Sequence, residues 1–435
     1  MRRLAIMTFW AVLFLGTQAF AFDKPPFPRL GANWIANQNY QDPTIQAQLA
    51  RGSIALIGVW PGWENGRGTT LQQVITNIKK LNPNTLVFDY IINNEIATNR
   101  TAYAPLAPLY AKLDSMHWYL YSNGGCCTQV NSTWPGAVIL NDTMFAPPDS
   151  NGDRWIDWYA KWAAATYAKA APALDGFNTD NVFWKPRVDG DWNHDGTTDS
   201  QNDPTVQLWL RQGYVHYFSV LRQQMPGKYQ IGNIADWGQP NAVITEYQGM
   251  LNGGVIEGLI GYSYSIETYG GWQAMMTWYR KAMSALAEPK LAIFHMVGSA
   301  TDYQTVRYGL ASAMMDDGYF VFNTTSGNGG DAPYFDEYAA KLGNAVSGPQ
   351  TAAWQKGVYR RDFVNGIVLV NPKGNGAQTV TLETNFKHLS GTQVPSVNNG
   401  QTTTTVTLQD RDGIILMRLQ PRAQPNSPTA LTLAR

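Results

Sequence analysis

LDGFNTDNVFWKPRVDGDWNHDGTTDSQND, running from Leu174 to Asp203, is the stretch on which the fold turns. Its opening, Leu174-Asp175-Gly176-Phe177-Asn178-Thr179-Asp180, alternates apolar and polar residues and predicts a short buried strand ending in a carboxylate. Beyond it lies a loop dense in Asp, Asn and Gly. A carboxylate at the C-terminal end of a strand, beside a long loop, is the arrangement of a (β/α)8 barrel enzyme.

The segments on either side agree with that reading. Downstream come a helix (Val206 to Gln224), a strand (Tyr229 to Asn233), the loop Ala235 to Gly238, and a strand, Gly254 to Ile260, that carries Glu257. A helix over Gly271 to Leu286 and strands at Lys290 to Met296 and Gly318 to Asn323 follow. Upstream, Trp155 to Ala171 has the spacing of an amphipathic helix, with aromatics three and four residues apart that fit packing. Earlier strands are predicted at Leu30 to Trp34, Ser53 to Trp60 and Thr85 to Ile91. A helix over Leu71 to Leu81, capped at Thr69 or Thr70 and stopped by Asn82-Pro83, separates the last two.

Strands and helices alternating at this spacing make parallel βαβ units. About eight units result, one of the strand-like runs at His117 to Tyr121 and Ala137 to Leu140 being an extra element. The fold class is therefore α/β, a TIM barrel over residues 22–350. From Trp354 the texture changes to short alternating segments punctuated by Gly, Pro and Asn, which predicts a small antiparallel β-sandwich over residues 351–421. Residues 422–435 read as a flexible Pro-containing tail.

Arg2-Arg3, the apolar run Leu4 to Gly16 and Ala19-Phe20-Ala21 form the pattern of a secretory signal peptide cleaved after Ala21. The run is shorter than the roughly 20 residues a membrane span needs. An exported protein, secreted or periplasmic, is expected. With 32 basic and 32 acidic residues and no basic block, the chain lacks the positive footprint of a nucleic-acid binder. Its 16 Trp and 22 Tyr suit stacking on sugar faces. The two cysteines, Cys126 and Cys127, are adjacent and can form at most a vicinal disulfide, not a stabilising framework.

Asp191, Asn193, Asp195, Gly196 and Asp199 occupy positions 1, 3, 5, 6 and 9 of an EF-hand-type loop, with the carbonyl of Thr197 at position 7. Position 12 is Asn202, followed by Asp203, in place of the usual Glu. A structural Ca²⁺ pinning the loop beside the barrel mouth is the expectation; a solvated Asp/Asn-rich turn is the alternative. Asp175 and Asp180 lie five apart, so only one can face the mouth, and Asp180 is at the strand's end. Glu257 sits near another strand's end. Cleaving a glycosidic bond takes two such carboxyls flanking it. The five His are scattered, with no HExxH, and no G-x-S-x-G elbow or phosphate-binding Gly loop is present.

Asp175-Gly176-Phe177-x-x-Asp180-Asn181 resembles the strand-four motif of glycoside hydrolase barrels. Val358 to Pro372, with Asp412 to Leu416, resembles their C-terminal β-domain, and the nearest family is hypothetical glycosyl hydrolase family fifteen. The resemblance implies a nucleophile at Asp180 and a proton donor at Glu257, with Asp236 and Glu267 as alternative acids and Asp175 and Asn233 in support. It implies hydrolysis of an extracellular polysaccharide or oligosaccharide, so the expected partner is a carbohydrate substrate, and a monomer is expected. Trp34, Trp60, Trp63, Trp184, Trp237 and Tyr262, at or after predicted strand ends, are the candidate sugar-stacking residues, with core packing the competing role for each. A non-catalytic carbohydrate binder on a degenerate barrel is the main rival, and a deacetylase or lyase the other.

Overall fold

The computed structural model describes residues 22–123, 128–325 and 329–422. The expected signal peptide, the Cys126-Cys127 pair and nearly all of the tail lie outside them. Eight parallel strands form one sheet: β1 (Gly31–Trp34), β2 (Ile54–Ile57), β3 (Leu86–Ile91), β6 (Gly176–Thr179), β7 (Tyr229–Asn233), β8 (Gly253–Ile260), β9 (Leu291–Gly298) and β10 (Tyr319–Thr324). A parallel bridge between Leu30 and Phe320 closes the sheet into a barrel.

The excursion after β3 differs from expectation. Ala137 to Leu140 yields β5 (Ala137–Ile139), but it pairs antiparallel with β4 (Glu95–Ala97) in a separate two-stranded hairpin. His117 to Tyr121 makes only isolated bridges at Tyr119 and Tyr121. Neither run enters the barrel. Both are apolar because they pack on the outer core, a burial that periodicity alone does not distinguish from a barrel strand.

The helices are α1 (Pro43–Leu49), α2 (Leu71–Leu81), α3 (Ala107–Met116), α4 (Trp155–Ala163), α5 (Pro204–Gln224), α6 (Ile266–Ser284) and α7 (Tyr303–Ala313). The Thr70 hydroxyl caps α2 by accepting from the Gln73 amide at 3.1 Å. Helix α2 buries Leu71, Val74, Ile75 and Ile78 against the barrel, each worth about 1.5–3 kcal/mol. The predicted Trp155–Ala171 helix ends early, its last turns widening into a π-turn at Ala164–Ala168. Helix α6 starts before its predicted position and is broken at Gly271, where φ is 76°.

Inside the barrel, side chains at alternate positions build layers. Ile54, Leu56, Leu86, Phe88, Ile231, Val255, Leu291, Ile293, Tyr319 and Val321 form an apolar plug. Nearer the C-terminal ends of the barrel strands stand Asn33, Tyr90, Asn178, Asn233, Glu257, His295 and Asn323. The interior thus turns from oil to polar groups at the C-terminal ends of the strands.

The C-terminal β-domain is a five-stranded antiparallel sheet in the order β11 (Tyr359–Asp362), β12 (Gly366–Asn371), β15 (Asp412–Arg418), β13 (Gln378–His388), β14 (Thr402–Leu408). One face, with Ile367, Leu369, Ile414 and Leu416, builds the domain's own core. The other, with Val368, Val370 and Ile415, joins the barrel's outer core, so the domain rests on α7 as the second layer of a sandwich. Arg307 meets Asp412 at 3.0 Å and Arg411 meets Glu267 at 2.9 Å across the seam.

Candidate active site

A cavity of 430 Å³ opens above the polar layer, lined by Tyr90, Asp180, Asn233 and Glu257 together with residues of the β4–β5 hairpin and the long loop after β6. Asp180 follows β6 directly, and Asn181 takes up a left-handed φ of 55° that turns the chain away and leaves the carboxylate at the mouth. Asn tolerates this region better than most residues. Tyr90 donates its hydroxyl to Asp180 Oδ2 at 2.6 Å, and the Asn181 amide donates to Oδ1 at 2.9 Å.

Glu257 projects inward from β8, just before Gly258, whose φ of 75° breaks the strand's register. A Cβ at Gly258 would come within 3.0 Å of the Tyr264 ring, so glycine lets Tyr264 close on the cavity. Asn233 Nδ2 donates to Glu257 Oε2 at 3.0 Å, and its Oδ1 accepts from the Ala235 amide, which fixes which way the amide points. Asn233 also helps hold down the carboxyl of Asp180. One asparagine therefore acts on the carboxylates of two barrel strands.

Burial and then the charge of Glu257 raise the Asp180 carboxyl above the usual carboxylate range, while the bonds from Tyr90, Asn181 and Asn233 pull it back. Neither Asp180 nor Glu257 has a cationic partner in a salt bridge among the described residues. A third acid shares the cavity: Glu95 of β4, whose carboxyl is raised chiefly by burial and accepts a hydrogen bond from the Ser132 hydroxyl.

The remaining candidates fall elsewhere. Asp175 lies at the opposite end of β6, paired with Lys79 at 2.6 Å and accepting from the Val87 amide at 2.7 Å. Its odd position in the alternation turns it away from the mouth. Glu267 is buried at the seam with Arg411 and Tyr308, holding the β-domain in place. Asp236 is buried in a short 3₁₀ turn after β7 and does not line the cavity. Burial pushes its carboxyl to about 7, with the charge of Arg187 and a backbone bond from Trp184 opposing, and its Oδ1 has no hydrogen-bond partner.

Of the aromatic candidates, only Tyr262 lines the cavity, stacked on Tyr264 with centroids 4.9 Å apart. Trp34, Trp63, Trp184 and Trp237 are buried core residues; Trp237 packs on Tyr247 and donates to the Val182 carbonyl at 2.7 Å. Trp60 is half-buried in an adjoining chamber. Two exposed aromatics line the cavity, Trp134, 71 % accessible on the hairpin loop, and Tyr264, 59 % accessible. Sequence reasoning passed over Trp134, Tyr90 and Glu95. Glu95 carried a signal, an acid four residues beyond the end of the third barrel strand.

The long loop packs against the cavity through Trp192, whose amide donates to Asp199 Oδ2 at 2.9 Å. Asp191 accepts from the amides of Asp195 and Gly196, each at 3.0 Å, and Asp195 accepts from the Thr197 amide at 2.8 Å and from Asn193 Nδ2 at 2.9 Å. Asn202 turns away to Lys185 at 3.0 Å, and Asp203 caps α5 through the Thr205 amide. Position 12 of the loop thus contributes nothing, because Pro204 begins the helix at once. Among the described residues no group of three or more His, Cys, Asp or Glu side chains is gathered as a metal site. No helix among them is long and apolar enough to cross a membrane.

No family model matches the chain, and no curated protein does. Solved structures do. An α-amylase from Anoxybacillus, described as a new glycosyl hydrolase subclass, superposes with a TM-score of 0.51 at 9 % identity, covering 89 % of this chain and 90 % of its own. An α-amylase from Lactobacillus plantarum gives 0.50 at 11 % identity, covering 90 % and 97 %. The chain has the barrel-plus-β-domain fold of glycoside hydrolases.

Proposed function

We propose that this protein is a glycoside hydrolase that cleaves a polysaccharide or oligosaccharide with Asp180 and Glu257. The observation that carries the reading is the meeting of two carboxylates from different strands in one open cavity, with Asn233 hydrogen-bonded to Glu257 beside them. The fold shared with the α-amylases is consistent with it. Asp180 attacks the anomeric carbon as the glycosidic bond breaks, and Glu257 gives its proton to the departing oxygen. Water, losing a proton to Glu257, then cleaves the glycosyl ester and regenerates both groups.

Hypothetical glycosyl hydrolase family fifteen is the family this reading points to, on the strength of Asp175 to Asn181 and the C-terminal segments. Export rests on residues 1–21 alone. The loop from Asp191 to Asp199 would take Ca²⁺ through the oxygens of Asp191, Asn193, Asp195 and Asp199 and the carbonyl of Thr197, a set of hard donors suited to that ion. Its role there would be to hold Trp192 against the cavity.

The test is reducing-end release from a panel of α- and β-linked glycans by wild type, Asp180→Asn and Glu257→Gln. Each substitution is expected to lower turnover by at least about 10²–10⁴-fold, with glycan binding retained. Wild-type protein that binds a glycan and never cuts it would make this a carbohydrate-binding protein instead.

A further inference from the structure

Beside the acid cavity lies a second, smaller one of 180 Å³, and the two share Tyr90, Glu95 and Trp134 as a common wall. Its character is different. The walls are rings and aliphatic chains, among them Trp60, Tyr103, Leu109, Trp155 and Trp162. Trp60 meets Tyr90 edge-on at 5.8 Å, and Tyr159 stacks on Trp162 at 5.7 Å. The same Tyr90 whose hydroxyl touches Asp180 therefore presents its ring to this chamber.

Several of the polar atoms around the chamber are already engaged. Tyr110 donates to the Ala97 carbonyl at 2.8 Å, Trp155 Nε1 to the Asn93 carbonyl at 2.8 Å, and Glu95 takes the Ser132 hydroxyl. Against walls made mostly of rings and aliphatic chains, each sugar hydroxyl left without a partner would cost about 1–3 kcal/mol. An apolar group loses nothing. The volume suits one: a dry apolar cavity of about 150 Å³ takes up benzene. Tyr103 and Trp134 stand partly exposed at its rim, so the chamber can be entered from outside.

We propose that this chamber is a subsite for an apolar substituent, an aryl or short acyl group, carried by the sugar unit that sits at Asp180. The inference rests on the hydrolase reading for its sugar, and it narrows the substrate class to substituted glycans or glycosides. The shared wall at Tyr90 places the substituent next to the reacting centre, so the chamber selects among substrates at the point where the bond breaks.

The probes are phenol for an aryl group and methyl butyrate for an acyl group, titrated into the full chain by NMR. At least one is expected to bind with a dissociation constant near about 1 mM. Leu109→Trp and Ala137→Phe, which fill the chamber from different walls, should weaken it at least about tenfold, with near-UV circular dichroism checking their folds. Phenol alone binding assigns an aryl group, methyl butyrate alone an acyl group. Neither probe binding, or native-like variants binding as wild type does, overturns the proposal. If both variants misfold, nuclear Overhauser contacts between bound probe and the indole protons of Trp60 or Trp162 in wild type decide, and contacts only elsewhere overturn it. Asp180→Asn should bind the probe as wild type does, so failure of hydrolysis and failure of this subsite are read separately.

Discussion

Two sets of carboxylates in this molecule look alike in sequence and sit in opposite circumstances. At the seam between barrel and β-domain, Glu267 and Asp412 are buried and each faces an arginine, Arg411 at 2.9 Å and Arg307 at 3.0 Å. At the barrel mouth, Asp180 and Glu257 line one cavity, and Asp180 is raised by burial and its neighbour's charge. A charge neutralised by an arginine is committed to holding structure. A carboxylate kept against a like charge, relieved by hydrogen bonds and not by a cation, is suited to exchanging protons with something that enters. The difference separates a joint from a candidate reaction centre.

The contrast can be broken at the joint first. Arg411→Met leaves Glu267 buried without its cation, and the loss of stability should reach about 3–5 kcal/mol. Chemical denaturation measures it. A variant as stable as wild type would mean that the seam does not depend on the pair.

Asp236 sharpens the comparison, since it is buried and unpaired yet outside the cavity. Its native carboxyl, at about 7, lies above the unfolded value of 3.8, so the folded state binds its proton more tightly. The stability tied to that proton is complete below the unfolded value and is lost as pH rises through about 7. Asp236→Asn should therefore gain stability relative to wild type at pH 8, by up to about 4 kcal/mol, and much less at pH 4. A gain that does not change with pH would contradict this origin.

The loop carboxylates form a third setting, satisfied largely by backbone amides. If they also hold Ca²⁺, adding the ion at a hundredfold its dissociation constant should stabilise the protein by about 2.7 kcal/mol, and chelation should reverse it. An unfolding midpoint insensitive to both would leave the loop as a hydrogen-bonded turn.

Much of this was legible in the sequence. The barrel strands could be read because short apolar runs alternate with helical stretches at a regular spacing, and Asp180 and Glu257 because strand ends mark the mouth. The odd-even alternation also separated Asp175 from Asp180 before any geometry was known. The aromatic candidates were not legible in this way. Trp34 and Trp237 stand at or just beyond strand ends, but whether a ring faces a cavity or the core depends on how the following loop folds back. Glu95 was harder to place: its position at the site depends on the β4–β5 hairpin, whose pairing joins residues 95–97 to 137–139 across a long excursion. Glu267 looked catalytic because its ion-pair partner, Arg411, is 144 residues away.

The central claim is that the mouth carboxylates do chemistry and the seam carboxylates hold structure. Reducing-end release, per folded molecule, by Asp180→Asn and Arg411→Met side by side tests it most directly, with unfolding midpoints measured on the same samples. The account predicts that Asp180→Asn stays folded and loses at least about 10²–10⁴-fold in turnover, while Arg411→Met loses stability and cuts as wild type does. Cleavage surviving in a folded Asp180→Asn would contradict it.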